Sequence, residues 1–262
     1  MSERQSLRAM CSDGAETHGL WLSAPSPITA EAGARLDFAY VCIDMQHGAV
    51  AYDHAVPMIQ AIEFAGGIPI ARVPWNEPGI IGKMLDAGCH GVIIPMVNTR
   101  AEAEAVVRAT RYAPDGSRSW GPTLVSPRHE NYRAWADATI AVIPMIETRD
   151  ALSNLDDILS VPGIDAVYVG PADLGISLGL GPTGNDGNPI FDEALANIVA
   201  GCERHGVVPG IHASGALASR RRQQGFRMIT IANDLLAMRA SLHDEIRQAK
   251  ESGSGDDSAS LY

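Results

Sequence analysis

Short runs of apolar and β-branched residues alternate with amphipathic segments along most of the chain. Eight such runs occur, at 18–23, 39–45, 68–74, 90–96, 139–147, 164–170, 207–213 and 226–232. After each run, apolar residues recur at helical spacing, and several of these segments end in glycine, as at Asp86-Ala87-Gly88. Strands that are apolar almost throughout are typical of a parallel sheet covered by helices on both faces. The pattern therefore predicts eight strand–helix units.

Eight strand–helix units in about 230 residues indicate an α/β fold of the (β/α)₈ TIM-barrel type. We predict a single barrel domain over residues 18–250, preceded by an N-terminal extension, 1–17. The segment 251–262 has the composition of a linker and is predicted to be a disordered C-terminal tail. An open, doubly wound sheet is the alternative, although neither GxGxxG nor GxxxxGK[ST] follows a predicted strand.

Composition and charge narrow the classes of partner. The chain has 262 residues, with 20 basic against 31 acidic side chains and a net charge of −11. No basic run is present, so nucleic acid is not expected as a partner. No apolar run reaches the roughly 18 residues that span a bilayer, and the first residues lack the apolar segment of a secretory signal. Four widely spaced cysteines without a CxxC pattern indicate reduced thiols, so we expect a cytoplasmic protein that does not bind membranes.

Lysine is scarce in this chain. Only Lys83 and Lys250 are lysines, and the other basic residues are arginines. A mechanism that proceeds through a Schiff base needs a lysine at the reacting carbon. Lys83 falls in a predicted helix and Lys250 borders the predicted tail, so the sequence disfavours imine chemistry.

Polar residues cluster where the predicted strands end, and in a barrel these ends converge on one pocket. The candidates are Trp21, Asp44, Gln46, His47, Arg72, Asn76, Glu147, Ala172, Asp173, His212, Ser214, Asn233 and Asp234. Glu147 and Asp173 end neighbouring strands, where two unpaired carboxylates would repel each other. A divalent cation such as Mg²⁺ or Mn²⁺ would remove that cost. The alternative interpretation is that each carboxylate only caps a helix.

Two further side chains are candidates for a role in catalysis. His47 follows an apolar strand, with Asp44 three residues earlier, and would be a general base oriented by a carboxylate; a surface histidine is the alternative. Arg72 lies inside an apolar strand and needs an anion, which is either a ligand oxygen or a protein carboxylate in a structural ion pair. The turn at 170–173 presents backbone N–H groups at a helix start, where a substrate carboxylate would bind.

Several longer motifs carry a family resemblance. They are IDMQHG (43–48), RVPWN (72–76), DAGCHGVIIPMV (86–97), RYAPDGSRSWG (111–121), MIETRDAL (145–152) and GIDAVYVGPADL (163–174). In order and spacing they resemble the HpcH/HpaI family of metal-dependent pyruvate aldolases, from about residue 19 to about residue 239. This family is a (β/α)₈ barrel that makes or breaks a carbon–carbon bond beside a pyruvate-type enolate.

The resemblance implies roles for individual residues. Glu147 and Asp173 match the metal ligands, and Arg72 matches the arginine at the keto oxygen. His47 matches the base, with Asp44 as its partner. The backbone amides of Ala172 and Asp173 match positions that hold the pyruvate carboxylate. Trp21 and His212 are expected to contact substrate.

The sequence thus predicts a class II aldolase, a carbon–carbon lyase that reversibly cleaves a 4-hydroxy-2-oxo acid into an aldehyde and pyruvate or hydroxypyruvate. Its expected cofactor is Mg²⁺, Mn²⁺ or Co²⁺. The resemblance also implies a homo-oligomer, a hexamer or trimer of dimers. Gln46, Met145, His212 and Ser119-Trp120 depart from the pattern of many members, which leaves the aldehyde and the donor open. The alternatives are a lyase of the malyl- or citryl-CoA type and a non-catalytic barrel subunit.

Overall fold

The barrel predicted from the apolar runs is present. The structure, a computed structural model, describes residues 5–251. Eight parallel strands form one sheet in the order β5-β4-β3-β2-β1-β8-β7-β6. The strands are β1 Thr17–Leu22, β2 Tyr40–Asp44, β3 Pro69–Arg72, β4 Gly91–Ile94, β5 Ala141–Pro144, β6 Ala166–Val169, β7 Val208–His212 and β8 Met228–Asn233.

The two outer strands of that order meet and close the sheet. Met145 and Tyr168 form a parallel bridge, and the backbone N–H of Ile146 donates to the Tyr168 carbonyl at 2.9 Å. This contact brings β5 beside β6, so the sheet forms a barrel. The TIM-barrel prediction is confirmed, and the open-sheet alternative is wrong.

Helices alternate with the strands and cover the outside of the barrel. Within the described residues they are α1 Leu7–Ser12, α2 Pro27–Ala34, α3 Tyr52–Phe64, α4 Pro78–Ala87, α5 Arg100–Thr110, α6 Tyr132–Thr139, α7 Arg149–Ser153, α8 Leu155–Leu159, α9 Pro171–Ser177, α10 Pro189–His205, α11 Gly215–Gln223 and α12 Asp234–Glu251. The predicted glycine end of α4 is present, since Gly88 adopts φ 117° at its C-terminus. No helix in residues 5–251 is long and apolar enough to cross a bilayer.

The ends of the chain differ in detail from the predicted boundaries. β1 begins at Thr17, and α1 lies within the predicted extension. Leu7 and Cys11 of α1 are buried against the apolar cluster inside the barrel, because they cover its N-terminal end. At the other end, Glu251 is the last residue of α12. Residues 252–262 of the predicted tail lie outside the described residues.

Alternation along the strands explains why polar groups gather at one end. Tyr40 and Cys42 belong to the apolar cluster inside the barrel, and Asp44 is the next inward position of β2. Ile70 leads in the same way to Arg72 at the end of β3. The polar residues one pleat period beyond the inner cluster are Asp44, Arg72 and Glu147, and His212 lies two pleat periods beyond Val208 of that cluster. They all face the C-terminal mouth of the barrel.

Glycine makes room for a bulky residue in the barrel interior. A Cβ atom at position 19 would lie 2.1 Å from the Tyr40 ring. Only glycine at this position lets the Tyr40 side chain, which is fully buried, fill the barrel beneath the mouth.

Candidate active site

A cavity of about 230 Å³ opens among the residues at the C-terminal ends of the strands. Its lining residues are Trp21, Ser23, Asp44, His47, Arg72, Met145, Tyr168, Gly170, Pro171, Ala172, Asp173, His212 and Asn233. Seven of the eight residues to which the sequence analysis gave roles are in this lining. The eighth, Glu147, lies directly beside it, because a Cβ atom at Gly170 would come within 2.4 Å of Glu147 Oε2.

Arg72 forms an ion pair with Asp44, its register partner on the neighbouring strand. Arg72 Nε donates to Asp44 Oδ1 at 2.9 Å, and Nη2 donates to Oδ2 at 2.7 Å. Burial alone would raise the pKa of Asp44, but the hydrogen bonds and charge of Arg72 outweigh burial and hold that pKa below its ordinary value. The guanidinium also lies over the Trp21 ring, 4.9 Å from its centroid. The arrangement leaves Nη1 without a hydrogen-bond partner among the described residues.

The proposed pairing of Asp44 with the His47 imidazole is not present in the structure. Asp44 Oδ1 instead accepts hydrogen bonds from the backbone N–H groups of Gln46 and His47, at 3.1 and 3.2 Å. The reason is the strand register, which places Arg72 directly beside Asp44 and uses both carboxylate oxygens. The imidazole is exposed at the cavity rim, so Asp44 positions the His47 backbone and not its ring.

Glu147 is a buried carboxylate, and among the residues that the structure describes only one of its oxygens accepts a hydrogen bond. The residue is 2% exposed, and its Oε1 atom accepts a hydrogen bond from the backbone N–H of Met96 at 2.8 Å. Met96 adopts φ 57°, a left-handed conformation that non-glycine residues rarely occupy. Burial raises the pKa of Glu147 to about 7; the Met96 N–H opposes the rise and the nearby Asp173 carboxylate adds to it.

The second carboxylate comes from the first turn of α9. Asp173 is exposed to the cavity, and no hydrogen bond or ion pair to its carboxylate is present within residues 5–251. Over the same residues, no group of three or more His, Cys, Asp or Glu side chains could hold a metal ion. Two carboxylates do suit Mg²⁺ or Mn²⁺, because such ions usually keep several water ligands. A buried Glu147 with a raised pKa, and an Asp173 carboxylate near enough to add to that rise, fit a cation bound by these two side chains.

Backbone donors lie beside these carboxylates. The α9 helix begins at Pro171, and Gly170 precedes it. The N–H groups of Ala172 and Asp173 fall in the first helical turn, where backbone donors have no partner within the helix. Both residues line the cavity, so an anionic group bound there would meet these donors.

Three candidates from the strand ends lie away from the cavity, and two of them form structural hydrogen bonds. Asn76 donates to the Glu102 carbonyl at 3.2 Å, and Asp234 accepts the backbone N–H of Ser23 at 2.9 Å. Ser214 precedes α11 as its N-terminal cap residue. None of the three is in the lining of the cavity, as far as the described residues define it.

Sequence reasoning missed several residues that shape the site, among them Ser23, Tyr168 and Met96. Tyr168 lines the cavity, and its inward position is readable from the alternation in β6. Met96 carries no comparable signal, because its role depends on a backbone conformation and not on its side chain.

A larger cavity, of about 690 Å³, lies at the opposite end of the barrel. Its lining includes Ile68, His90 and Thr139, which precede β3, β4 and β5. Charged groups there are already paired, since Arg128 donates to Glu63 and His90 lies 3.7 Å from the same carboxylate. In TIM barrels chemistry occurs at the C-terminal face, so we assign the function to the smaller cavity.

Comparison with known proteins agrees with this geometry. A family model described as HpcH/HpaI aldolase/citrate lyase matches residues 17–240. The chain belongs to this family. The match spans the whole barrel and includes every residue placed at the cavity.

Members of the HpcH/HpaI family with curated names share substantial sequence with this chain. A hydroxypyruvate/pyruvate aldolase of Rhizorhabdus wittichii is 41% identical over 93% of this chain and 98% of the relative. A 4-hydroxy-2-oxo-heptane-1,7-dioate aldolase of Salmonella heidelberg is 37% identical over 82% of this chain and 83% of the relative. Among solved structures, a family protein from Burkholderia cenocepacia J2315 is 31% identical, with a TM-score of 0.87 over 93% of this chain and 98% of that one.

Family membership and the aldolase relatives identify the protein as an aldolase-type carbon–carbon lyase. Neither lysine lines the cavity. Lys83 lies on α4, with Nζ 4.9 Å from the centroid of the Tyr52 ring, and Lys250 lies on α12. The lysine-free lining agrees with the metal dependence that is general in the HpcH/HpaI family.

Proposed function

We propose that this protein is a divalent-metal-dependent aldolase that reversibly cleaves a 4-hydroxy-2-oxo acid into an aldehyde and pyruvate or hydroxypyruvate. One observation carries the proposal. A guanidinium fixed by Asp44 and the Asp173 carboxylate line one small cavity, and the buried Glu147 carboxylate lies directly beside it, near Asp173. The guanidinium suits a developing oxyanion, and the carboxylate pair suits a cation.

The carboxylates of Glu147 and Asp173 would hold Mg²⁺, Mn²⁺ or Co²⁺. The Met96 N–H occupies Glu147 Oε1, so Oε2 would be the oxygen available to the cation. When bound, the cation supplies Lewis-acid polarisation of the 2-oxo acid. Glu147 and Asp173 in turn fix where the 2-oxo acid binds in the cavity.

Arg72 is placed to stabilise the charge that develops in cleavage. When the C3–C4 bond breaks, its electron pair forms a C2–C3 double bond and negative charge collects on the C2 oxygen. Nη1 of Arg72 is free to donate to that oxygen, while Asp44 prevents the guanidinium from turning away. The released C3 then takes up a proton and becomes the methyl or hydroxymethyl carbon of the 2-oxo acid.

His47 would remove the proton from the 4-hydroxyl group, so that C4 leaves as an aldehyde carbonyl. Its imidazole is exposed at the rim of the cavity. The backbone N–H groups of Ala172 and Asp173 would bind the carboxylate of the 2-oxo acid. Trp21 would pack against its carbon skeleton, because its ring forms a wall beside Arg72.

The sequence is also compatible with two other functions. A CoA-ester lyase must bind a ligand with several phosphates, and a cavity of about 230 Å³ suits a small acid better. A non-catalytic barrel has no need of a buried Glu147 with a raised pKa, which is costly to keep without a cation. The aldolase therefore accounts for more of the site than either alternative.

The test is a retro-aldol assay on purified protein with a 4-hydroxy-2-oxo acid, coupled to reduction of the released pyruvate. We expect EDTA to abolish turnover and added Mn²⁺, Co²⁺ or Mg²⁺ to restore it. Borohydride added during turnover should leave Lys83 and Lys250 unmodified. Full activity after exhaustive chelation, together with a trapped lysine adduct, would contradict the proposal.

We also propose that a second copy of this chain covers α12 in a homo-oligomer, a hexamer or trimer of dimers. The helix has no buried residue of its own. Its exposed apolar side chains are Leu235, Leu236, Met238, Leu242 and Ile246. A stripe of this length is unusual on the surface of a monomer. We further infer a cytoplasmic location, since Cys11, Cys42, Cys89 and Cys202 are all buried and unpaired.

A further inference from the structure

His212 is a polar residue at the cavity to which the proposed bond cleavage gives no role. It is the last residue of β7, one pleat period beyond Gly210, and it lines the cavity with Trp21 and Tyr168. Its ring meets the Trp21 ring edge-on, with centroids 5.1 Å apart and an interplanar angle of 89°. This contact fixes the plane of the imidazole and therefore the direction of its two nitrogens.

A chain of buried hydroxyl groups determines which nitrogen of His212 carries the proton. Tyr40 Oη lies 3.0 Å from Thr230 Oγ1, and the Tyr168 hydroxyl donates to Thr230 Oγ1 at 2.5 Å. Tyr168 Oη also lies 3.4 Å from His212 Nδ1. A phenol has a single proton, and the shorter contact with Thr230 takes it. The Tyr168 oxygen is then an acceptor toward His212, so Nδ1 carries the N–H.

A neutral imidazole with a proton on Nδ1 presents Nε2 as an acceptor. Burial and, to a smaller extent, the charge of Arg72 lower the pKa of His212 to about 4, against the opposing effect of Asp44. The ring is therefore neutral at physiological pH. Nε2 has no hydrogen-bond partner within the described part of the chain, and the residue faces the cavity. The cavity thus contains a fixed acceptor in addition to the donors of Arg72 and α9.

We propose that His212 Nε2 accepts a hydrogen bond from a substrate hydroxyl group and so makes the enzyme prefer hydroxyl-bearing substrates. This inference rests on the proposed aldolase function and specifies its substrate class. A carbonyl or carboxylate oxygen gains nothing from an acceptor, whereas an O–H group does. Because a phenyl ring in place of the imidazole would leave the substrate hydroxyl unpaired, the preference should depend on the acceptor itself.

The hydroxyl group has two possible sources in an aldol reaction. It belongs either to C3 of a hydroxypyruvate-type donor or to the carbon beside the carbonyl of the acceptor aldehyde. Both present the same chemistry to Nε2, so the experiment needs one substrate pair for each source. Hydroxypyruvate against pyruvate, with acetaldehyde as acceptor, tests the donor. Glycolaldehyde against acetaldehyde, with pyruvate as donor, tests the acceptor.

The measurement is kcat/KM for condensation with Mg²⁺, in the wild type and three variants. His212→Phe removes the acceptor and keeps a ring of similar shape. Tyr168→Phe keeps the imidazole but removes the oxygen that holds the proton on Nδ1. Tyr40→Phe is the matched control, because it removes a hydroxyl from the far end of the same chain and does not touch His212. Thermal unfolding of each variant checks that it is folded.

We expect His212→Phe to lower the preference for the hydroxylated substrate about tenfold in one of the two pairs, the loss of one hydrogen bond. Tyr168→Phe should lower the same preference, and Tyr40→Phe should leave it unchanged. The pair that responds identifies the source of the hydroxyl group. The proposal is overturned if neither preference changes in His212→Phe, or if Tyr168→Phe keeps the full preference. Failure of the proposed function gives a different result, since the wild type would then condense none of the pairs.

Discussion

Replacing Glu147 with glutamine should raise the free energy of unfolding of the metal-free protein and abolish its stabilisation by metal. Glutamine keeps an oxygen for the Met96 N–H but carries no charge, so it avoids the cost of an ionised carboxylate at a residue that is 2% exposed. Burial raises the pKa of Glu147 from 4.5 to about 7, a difference worth about 3 kcal/mol. The folded state binds a proton on Glu147 more tightly than the unfolded state does, so protonation of Glu147 stabilises the fold. This stabilisation is complete below about pH 4.5 and is lost as the pH rises through about 7.

Chemical unfolding of chelated protein at about pH 8 is the appropriate assay. Glu147→Gln should unfold with a free energy up to about 3 kcal/mol higher than the wild type, and the difference should shrink toward about pH 4.5. Mg²⁺ or Mn²⁺ at a hundred times its Kd should add about 2.7 kcal/mol to the wild type and nothing to the variant.

Asp173→Asn is the matched control for this experiment. Asp173 is exposed, so its loss should change the metal-free stability by no more than about 0.5 kcal/mol while removing the same metal response. The reasoning is refuted if metal-free Glu147→Gln is less stable than the wild type at about pH 8, or if metal stabilises both proteins equally.

Three further predictions concern other parts of the structure. Arg72→Met should lower the free energy of unfolding by about 3–5 kcal/mol, because it leaves Asp44 buried without its partner. Adding Asp44→Asn should recover most of that loss, and equal losses in the single and double variants would contradict the ion pair. His212 has a pKa of about 4 in the folded protein, against 6.5 when exposed. The free energy of unfolding of the wild type should therefore fall by on the order of 2–3 kcal/mol relative to that of His212→Phe as the pH drops through this window in equilibrium unfolding, and a constant difference between the two proteins would contradict the buried neutral ring. Leu242→Asp on α12 should shift the molar mass from light scattering toward that of the monomer, and an unchanged mass would exclude this stripe as the interface.

The alternation of apolar residues was sufficient to predict the barrel and the gathering of Asp44, Arg72 and Glu147 at its mouth. It could not give the partner of Asp44, because the register between β2 and β3 is a property of the assembled sheet. The predicted fifth strand, 139–147, was too long. The apolar sequence continues past Pro144, but pairing with β6 there is reduced to a single bridge.

Conformation and proton placement were also beyond the sequence. The left-handed backbone of Met96 is imposed by its surroundings, since methionine has no preference for φ 57°. The acceptor on His212 depends on Tyr168 and Thr230, which come from other strands. Inward positions can be read from a sequence, whereas hydrogen bonds between strands need the three-dimensional arrangement.

The central claim is that this cavity makes the carbon beside a 2-oxo group acidic with the help of a cation between Glu147 and Asp173. Proton NMR of pyruvate in D₂O measures that step without any aldehyde. With Mg²⁺ and wild-type protein, the methyl signal should disappear as deuterium replaces hydrogen, and EDTA or Glu147→Gln should stop the exchange. Exchange that continues unchanged after chelation, or exchange no faster than in buffer when Mg²⁺ is present, would contradict the claim.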